Sequence, residues 1–148
     1  MASKWFYVLL AFLGGICVSP QGAINAILGR FIGNIQAAIV SFAVGLGSLI
    51  VVSLAFYFSY PGNWTRIIQA PKYTLCGGFL GAIIVFTALL AVPKIGATPT
   101  VMAILIGQII SSIIIDHYGW FEVPVMTYDP LRLVGLVLLV VSLPLVLR

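Results

Sequence analysis

The chain has 148 residues, of which 62% are hydrophobic and 7% are charged, and its net charge is +4. Its mean hydropathy of +1.22 is far above that of soluble globular domains and excludes an ordinary soluble fold. The seven Lys and Arg residues are spread along the chain, which excludes the clustered basic face of a nucleic-acid-binding protein.

Polar breaks divide the chain into five apolar stretches. A helix needs about 20 apolar residues to span the hydrocarbon core, and backbone groups cannot stay unpaired there, so each stretch is predicted to be a transmembrane helix. We therefore predict an all-α membrane protein with a single five-helix domain over residues 1–148 and lipid as its main partner. The first stretch lacks a clear signal-peptide cleavage site, so we expect it to be retained. The approximate spans are residues 5–29, 37–57, 73–92, 98–115 and 131–147.

Five spans place the two chain ends on opposite sides of the membrane. Side A holds the N-terminus and the links 58–72 and 116–130, whereas side B holds the short links 30–36 and 93–97. Trp and Tyr favour the headgroup level, because their rings are apolar and their N–H or O–H groups need water. All of them fall on or near side A, which supports the predicted number of spans: Trp5, Tyr7, Tyr57, Tyr60, Trp64, Tyr73, Tyr118, Trp120 and Tyr128.

The basic residues give the chain almost no preferred orientation. Side A carries Lys4, Arg66, Lys72 and Arg132, and side B carries Arg30, Lys94 and Arg148. A cytoplasmic excess of Lys and Arg normally sets orientation, so this balance predicts dual topology, with some copies inserted each way. Two copies would then pair antiparallel. The alternative is one orientation, with side A inside.

The first span contains two amides at membrane depth. Gln21 and Asn25 lie four residues apart and share a helix face beside Pro20, which removes one backbone hydrogen bond. Amides in the hydrocarbon region are costly unless they are paired or line a wet cavity. Two interpretations stay open: a solute-binding cavity, or hydrogen bonds between neighbouring helices.

The fourth span carries a polar stripe. Gln108, Ser112 and Asp116 follow one another at four-residue spacing, and His117 comes next. One interpretation is a polar pathway that ends in a proton-coupling pair, because imidazole changes its charge near neutral pH. The alternative is that Asp116 and His117 mark the end of the helix among the headgroups.

Small residues recur four apart in three spans. Ser41 precedes Gly45, Gly77 precedes Gly81, and Gly107 precedes Ser111. Such faces allow helices to approach closely, so these glycines are predicted to serve helix packing.

The sequence holds no Ser-His-Asp set, no cluster of metal ligands and no glycine-rich phosphate loop. We therefore expect no enzymatic activity, no metal and no cofactor. Because the spans also carry no central charged residue, a carboxylate-driven proton exchanger is not indicated.

Several short motifs together resemble the YdcZ family of the drug/metabolite transporter superfamily. The similarity covers essentially the whole chain, and the order and spacing of the motifs are more specific than any one of them. The motifs are Ser19–Arg30, Ile32–Asn34, Ser41–Gly45, Gly77–Ala82, Val92–Ala97, Gly107–Gln108, Asp116–Gly119 and Arg132–Gly135.

The resemblance implies a five-helix unit equivalent to half of a ten-helix inverted-repeat transporter. Short members of the family are thought to form antiparallel, dual-topology homodimers in the bacterial inner membrane. The family is distantly similar to the small multidrug resistance proteins, which carry an essential Glu in their first span. This chain offers Gln21 and Asn25 there instead, which argues against proton-coupled cation export.

The sequence therefore favours a small-solute transporter that works by alternating access at the interface of an antiparallel homodimer. Gln21, Asn25 and Gln108, assisted by Ser41 and Ser112, are expected to bind a small polar or weakly charged solute. The alternatives are a dual-topology ion channel and a membrane scaffold or accessory subunit without transport activity.

Overall fold

The computed structural model describes residues 4–57, 62–126 and 130–147, and every regular element in these ranges is a helix. This confirms the all-α prediction. Short 3-10 helices at Trp64–Gln69 and Lys72–Leu75 precede the third α-helix, and another at Trp120–Glu122 follows the fourth. The five α-helices are α1 (Lys4–Ile32), α2 (Asn34–Ala55), α3 (Cys76–Ile95), α4 (Ala97–Tyr118) and α5 (Pro130–Val146).

Four of the five predicted spans are helices long and apolar enough to cross a membrane. The fifth coincides with α5, whose apolar part, Leu133–Val146, is shorter and stays a predicted span. Tyr60 and Tyr128 of the aromatic set, and Arg148 of the charge balance, lie outside the described residues. The four long helices are Trp5–Ile32, Asn34–Ala55, Lys72–Ile95 and Ala97–Tyr118.

The two predicted links on side B, residues 30–36 and 93–97, are almost entirely helical. In each, one glycine separates two long helices: Gly33 lies between α1 and α2, and Gly96 lies between α3 and α4. Arg30, Asn34 and Gln36 of the first link occupy the last turn of one helix and the first turn of the next.

The two single-residue turns have the same geometry. Gly33 has φ 93° and ψ 150°, and Gly96 has φ 88° and ψ 165°, a region essentially restricted to glycine. The Gly33 N–H donates to the Gly29 carbonyl at 2.9 Å, and the Gly33 carbonyl accepts from Ala37 N–H at 2.9 Å. Gly96 repeats this with 3.0 Å and 3.4 Å bonds, so helical hydrogen bonding continues up to and away from each turn.

We expect Gly33→Ala to lower the free energy of unfolding by about 1–3 kcal/mol, because a residue with a Cβ is strained in this backbone conformation. The Cβ would also lie 2.5 Å from Gln36 Oε1, but that flexible tip can move. Unfolding in mixed micelles with increasing dodecyl sulfate measures the change. Gly47→Ala on α2 is the control, since nothing lies within 4 Å of its Cβ position; equal losses in both variants would contradict this account.

The chain divides into two compact units, which are described separately. Unit 1 comprises Met1–Pro20 and Ala91–Arg148, and unit 2 comprises Gln21–Leu90. In unit 1, α5 packs against α4. In unit 2, Leu89 of α3 is fully buried and lies beside Gly29 of α1, where a Cβ would come within 3.3 Å of Leu89 Cδ2.

Few of the described residues are buried within the chain. In the four long helices, at most 6% of each apolar window is buried, so most of the large apolar side chains face outward. A protein in water would hide such side chains, whereas lipid leaves them at no disadvantage. The buried residues are Asn25, Ala26, Gly29, Ala37, Leu89, Pro99 and Thr100.

Candidate solute-binding groove

Unit 2 contains a groove of about 330 Å³ among its membrane helices. Gln21 of α1 and Ser41 of α2 are its polar lining residues. The remaining lining is apolar and comes mostly from α2, with one residue of α3: Phe42, Gly45, Leu46, Leu49 and Val85. The groove, which we call the Gln21–Ser41 groove, thus presents an amide and a hydroxyl within an apolar surface, a composition typical of small-molecule sites.

Asn25 lies one turn after Gln21 on α1 and is 7% exposed. Its Nδ2 donates a hydrogen bond to Ser41 Oγ at 3.1 Å, which joins α1 to α2. A buried amide without a hydrogen-bond partner would lower stability by roughly 1–3 kcal/mol. The bond to Ser41 avoids this penalty and so allows Asn25 to lie at membrane depth. Asn25 therefore acts on the groove through Ser41, while Gln21 is exposed and borders the groove directly.

A second, wholly apolar groove of about 540 Å³ runs along the neighbouring face of α2 and α3. Phe42 lines both grooves and so forms part of the wall of each. No polar side chain borders this second surface in the described residues, so nothing there could orient a polar solute. Its other lining residues are Ile35, Ala38, Ile39, Ala82 and Phe86.

The glycines predicted to serve packing differ in their surroundings. A Cβ on Gly81 would lie 3.7 Å from Phe42 Cζ, an ordinary contact between α3 and α2. At Gly45, Gly77 and Gly107 nothing in the described part of the chain lies within 4 Å of such a Cβ. The packing role of these three stays a prediction.

The polar stripe of the fourth span lies on α4, within unit 1. Gln108 and Ser112 are exposed, and Asp116 and His117 are half-buried in the last turn of the helix. The Asp116 carbonyl accepts a hydrogen bond from Met126 N–H at 3.0 Å, so the following segment folds back onto the helix end. Convergence of this stripe with the Gln21–Ser41 groove stays a prediction.

Aromatic rings gather at the end of α4. The His117 ring meets Tyr118 edge-on with ring centroids 4.8 Å apart, and Tyr118 stacks on Trp120 at 5.6 Å. Gly119 ends the helix in the left-handed conformation, at φ 64°. Tyr and Trp at a helix end are typical of the headgroup level.

Sequence reasoning missed the apolar wall of the groove. Ser41 and Gly45 are one turn apart, and Phe42, Leu46 and Leu49 continue along the same side of α2, so the helical spacing after Ser41 contains the signal. In a chain that is apolar nearly everywhere, however, this spacing does not distinguish groove walls from lipid-facing residues. Among the described residues, no three His, Cys, Asp or Glu side chains form a group that could hold a metal ion.

Comparison with known proteins assigns the chain to a family. The model of the DMT_YdcZ family, described as "Putative inner membrane exporter, YdcZ", matches residues 6–145. No curated protein and no solved structure gave a match. The match extends from the start of α1 almost to the end of α5, and the long apolar helices agree with an integral protein of the inner membrane. This chain therefore belongs to the DMT_YdcZ family.

Proposed function

We propose that this protein transports a small solute across the inner membrane by alternating access at the interface of an antiparallel homodimer. The observation that carries the proposal is the Gln21–Ser41 groove, where an amide and a hydroxyl lie within apolar membrane helices. The family description, which names export, supports the same class of function. An enzyme is not favoured, because the family description names export.

Three features support a second copy, and the charge balance among them favours an opposite orientation. The membrane helices bury few residues within one chain, and Gly45, Gly77 and Gly107 leave open space where another helix can approach. The near-equal numbers of basic residues on sides A and B favour insertion both ways. An inverted pair reproduces the geometry of inverted-repeat transporters, whose sites lie near the membrane midplane.

Reconstitution of the purified protein into liposomes tests this function. Labelled solutes of several classes are offered, and initial rates are measured against concentration. A carrier gives saturable flux, whereas flux that stays proportional to concentration would indicate the channel alternative. A protein that moves no solute and no ion would be the scaffold.

We expect Gln21→Ala to raise the half-saturating solute concentration by about fivefold, the equivalent of roughly 1 kcal/mol for one lost hydrogen bond. Gln69→Ala is the matched control, because Gln69 is an exposed amide in the 3-10 helix Trp64–Gln69, away from the groove. Liposome flux measures both variants. An unchanged half-saturation in Gln21→Ala would remove Gln21 from the binding site.

We expect an imposed pH gradient to change flux little, because Asp116 is the one acidic residue within a long described helix, and it lies at the helix end. Where a gradient does drive flux, Asp116→Asn is expected to remove that dependence. Glu122→Gln, in the 3-10 helix beyond α4, is the control. Proton-driven flux that survives Asp116→Asn would contradict a coupling role for Asp116 and His117.

A further inference from the structure

The lining of the Gln21–Ser41 groove contains no charged side chain. An ion moved from water into such a surface would lose hydration without gaining a counter-charge, which is strongly unfavourable. An apolar solute body, in contrast, would be favoured by Phe42, Leu46 and Leu49. The groove therefore fits an uncharged solute with a substantial apolar part.

The hydroxyl of Ser41 accepts a side-chain hydrogen bond and, among the described residues, leaves its own proton unused. Ser48, Ser111, Thr100 and Ser142 each donate their proton to a backbone carbonyl three or four residues earlier, at 2.7–3.1 Å. Ser41 instead accepts the bond from Asn25, and within the described part of the chain it donates none. A hydroxyl can accept and donate at once, so Ser41 keeps a proton for another acceptor.

The burial of Asn25 keeps this arrangement in place. Its amide is 7% exposed, so turning it away from Ser41 would strand a buried donor. The Asn25 bond occupies one lone pair of Ser41 Oγ, and the groove lies on the side of α2 that carries Ser41. A solute in the groove thus meets a hydroxyl donor from Ser41 and an exposed amide from Gln21.

We propose that the Gln21–Ser41 groove selects uncharged solutes that join an apolar body to a hydrogen-bond acceptor such as a carbonyl or ether oxygen. Ser41 donates to that acceptor, and Asn25 is the positioning residue that keeps the Ser41 proton available. This selectivity rests on the proposed transport function for its physiological meaning, but binding itself can be measured without transport.

The test uses the full chain in nanodiscs, with Cys17→Ala and Cys76→Ala removing the native thiols and Leu49→Cys placing one thiol in the groove wall. The rate of alkylation by N-ethylmaleimide is measured in the presence of four probes. Acetophenone carries an acceptor, and α-methylstyrene has nearly the same shape without one. Phenyltrimethylammonium and benzoate are the charged counterparts.

Acetophenone is expected to protect the thiol at a concentration about fivefold lower than α-methylstyrene, as one hydrogen bond predicts. The charged probes are expected to protect least. Ser41→Ala is expected to abolish the difference between the two neutral probes while α-methylstyrene still protects, and Ser41→Thr is expected to keep it. Asn25→Ala is expected to reduce it although Ser41 is present, because the freed hydroxyl can then donate to the Ala37 carbonyl one turn earlier.

Equal protection by the two neutral probes in the unaltered groove would overturn the proposal, as would stronger protection by either charged probe. A thiol that no probe protects would overturn it as well. Should Ser41→Ala fail to fold, Ser41→Thr and the probe comparison in the parent chain still decide the matter. Probe selectivity without liposome flux would refute the transport function and leave the proposed site intact. Flux of charged solutes, with no probe protecting the thiol, would refute the proposed site and leave the transport function intact.

Discussion

Two added lysines on side A are expected to abolish solute flux. Co-expression with a second copy that carries two added lysines on side B is expected to restore the flux. Gly62→Lys with Gln69→Lys makes the first variant, and both positions are exposed in the link that follows α2. Phe31→Lys with Leu147→Lys makes the second variant. Both positions are exposed and lie at the C-terminal ends of α1 and α5, which are predicted to be on side B. Each pair of charges should force one orientation, because Lys and Arg favour the cytoplasmic side.

This result would follow from the near-equal charge balance of the chain. If transport needs two copies of opposite orientation, a population locked one way contains no complete pair, and co-expression of both locked forms supplies one. Flux in proteoliposomes and thiol labelling from each side of intact cells measure the outcome. Gly62→Glu with Gln69→Glu is the control, because acidic residues contribute little to orientation. Full flux from the variant with lysines on side A, when it is expressed without the other variant, would rule out the antiparallel homodimer.

Leu89→Ala is expected to lower the free energy of unfolding by about 2–5 kcal/mol, the range for truncating a fully buried leucine. Leu89 is 0% exposed and lies against Gly29, so its removal leaves a void that the α1 and α3 backbones cannot easily fill. The neighbouring Leu90 is 46% exposed and is the matched control.

Unfolding in mixed micelles compares the two leucine variants on the same helix. Leu90→Ala is expected to change stability by no more than about 0.5 kcal/mol, as is usual at exposed positions. Val85 lies one turn before Leu89 and borders the groove. In Leu89→Ala the neutral probes should therefore protect the thiol of Leu49→Cys less well. Equal effects of the two substitutions would mean that Leu89 is not a packing centre of unit 2.

Apolar length was enough to predict the helices, since lipid allows little else. It was not enough to predict where the helices end within the links 30–36 and 93–97. Arg30, Asn34 and Gln36 are polar and marked a link of seven residues, yet a helix end that leaves the hydrocarbon region can carry polar residues without breaking. The break falls at Gly33 alone, because backbone conformation and not polarity sets the turn.

The candidate site was predictable as far as residue type carries information. Gln21, Asn25 and Ser41 are conspicuous because amides and hydroxyls are costly in lipid. The hydrogen bond between Asn25 and Ser41 depends on how α1 and α2 pack, and two residues 16 apart in sequence give no sign of it. Phe42, Leu46 and Leu49 line the groove with side chains indistinguishable by type from lipid-facing neighbours.

The turns at Gly33 and Gly96 have a consequence at the level of the gene. Every one-base change of a glycine codon that alters the amino acid, and does not stop translation, produces a residue with a Cβ. At these two positions each such change places that Cβ on backbone near φ 90°, which only glycine adopts readily. Any single-base substitution of these two glycines that changes the amino acid therefore produces a strained protein.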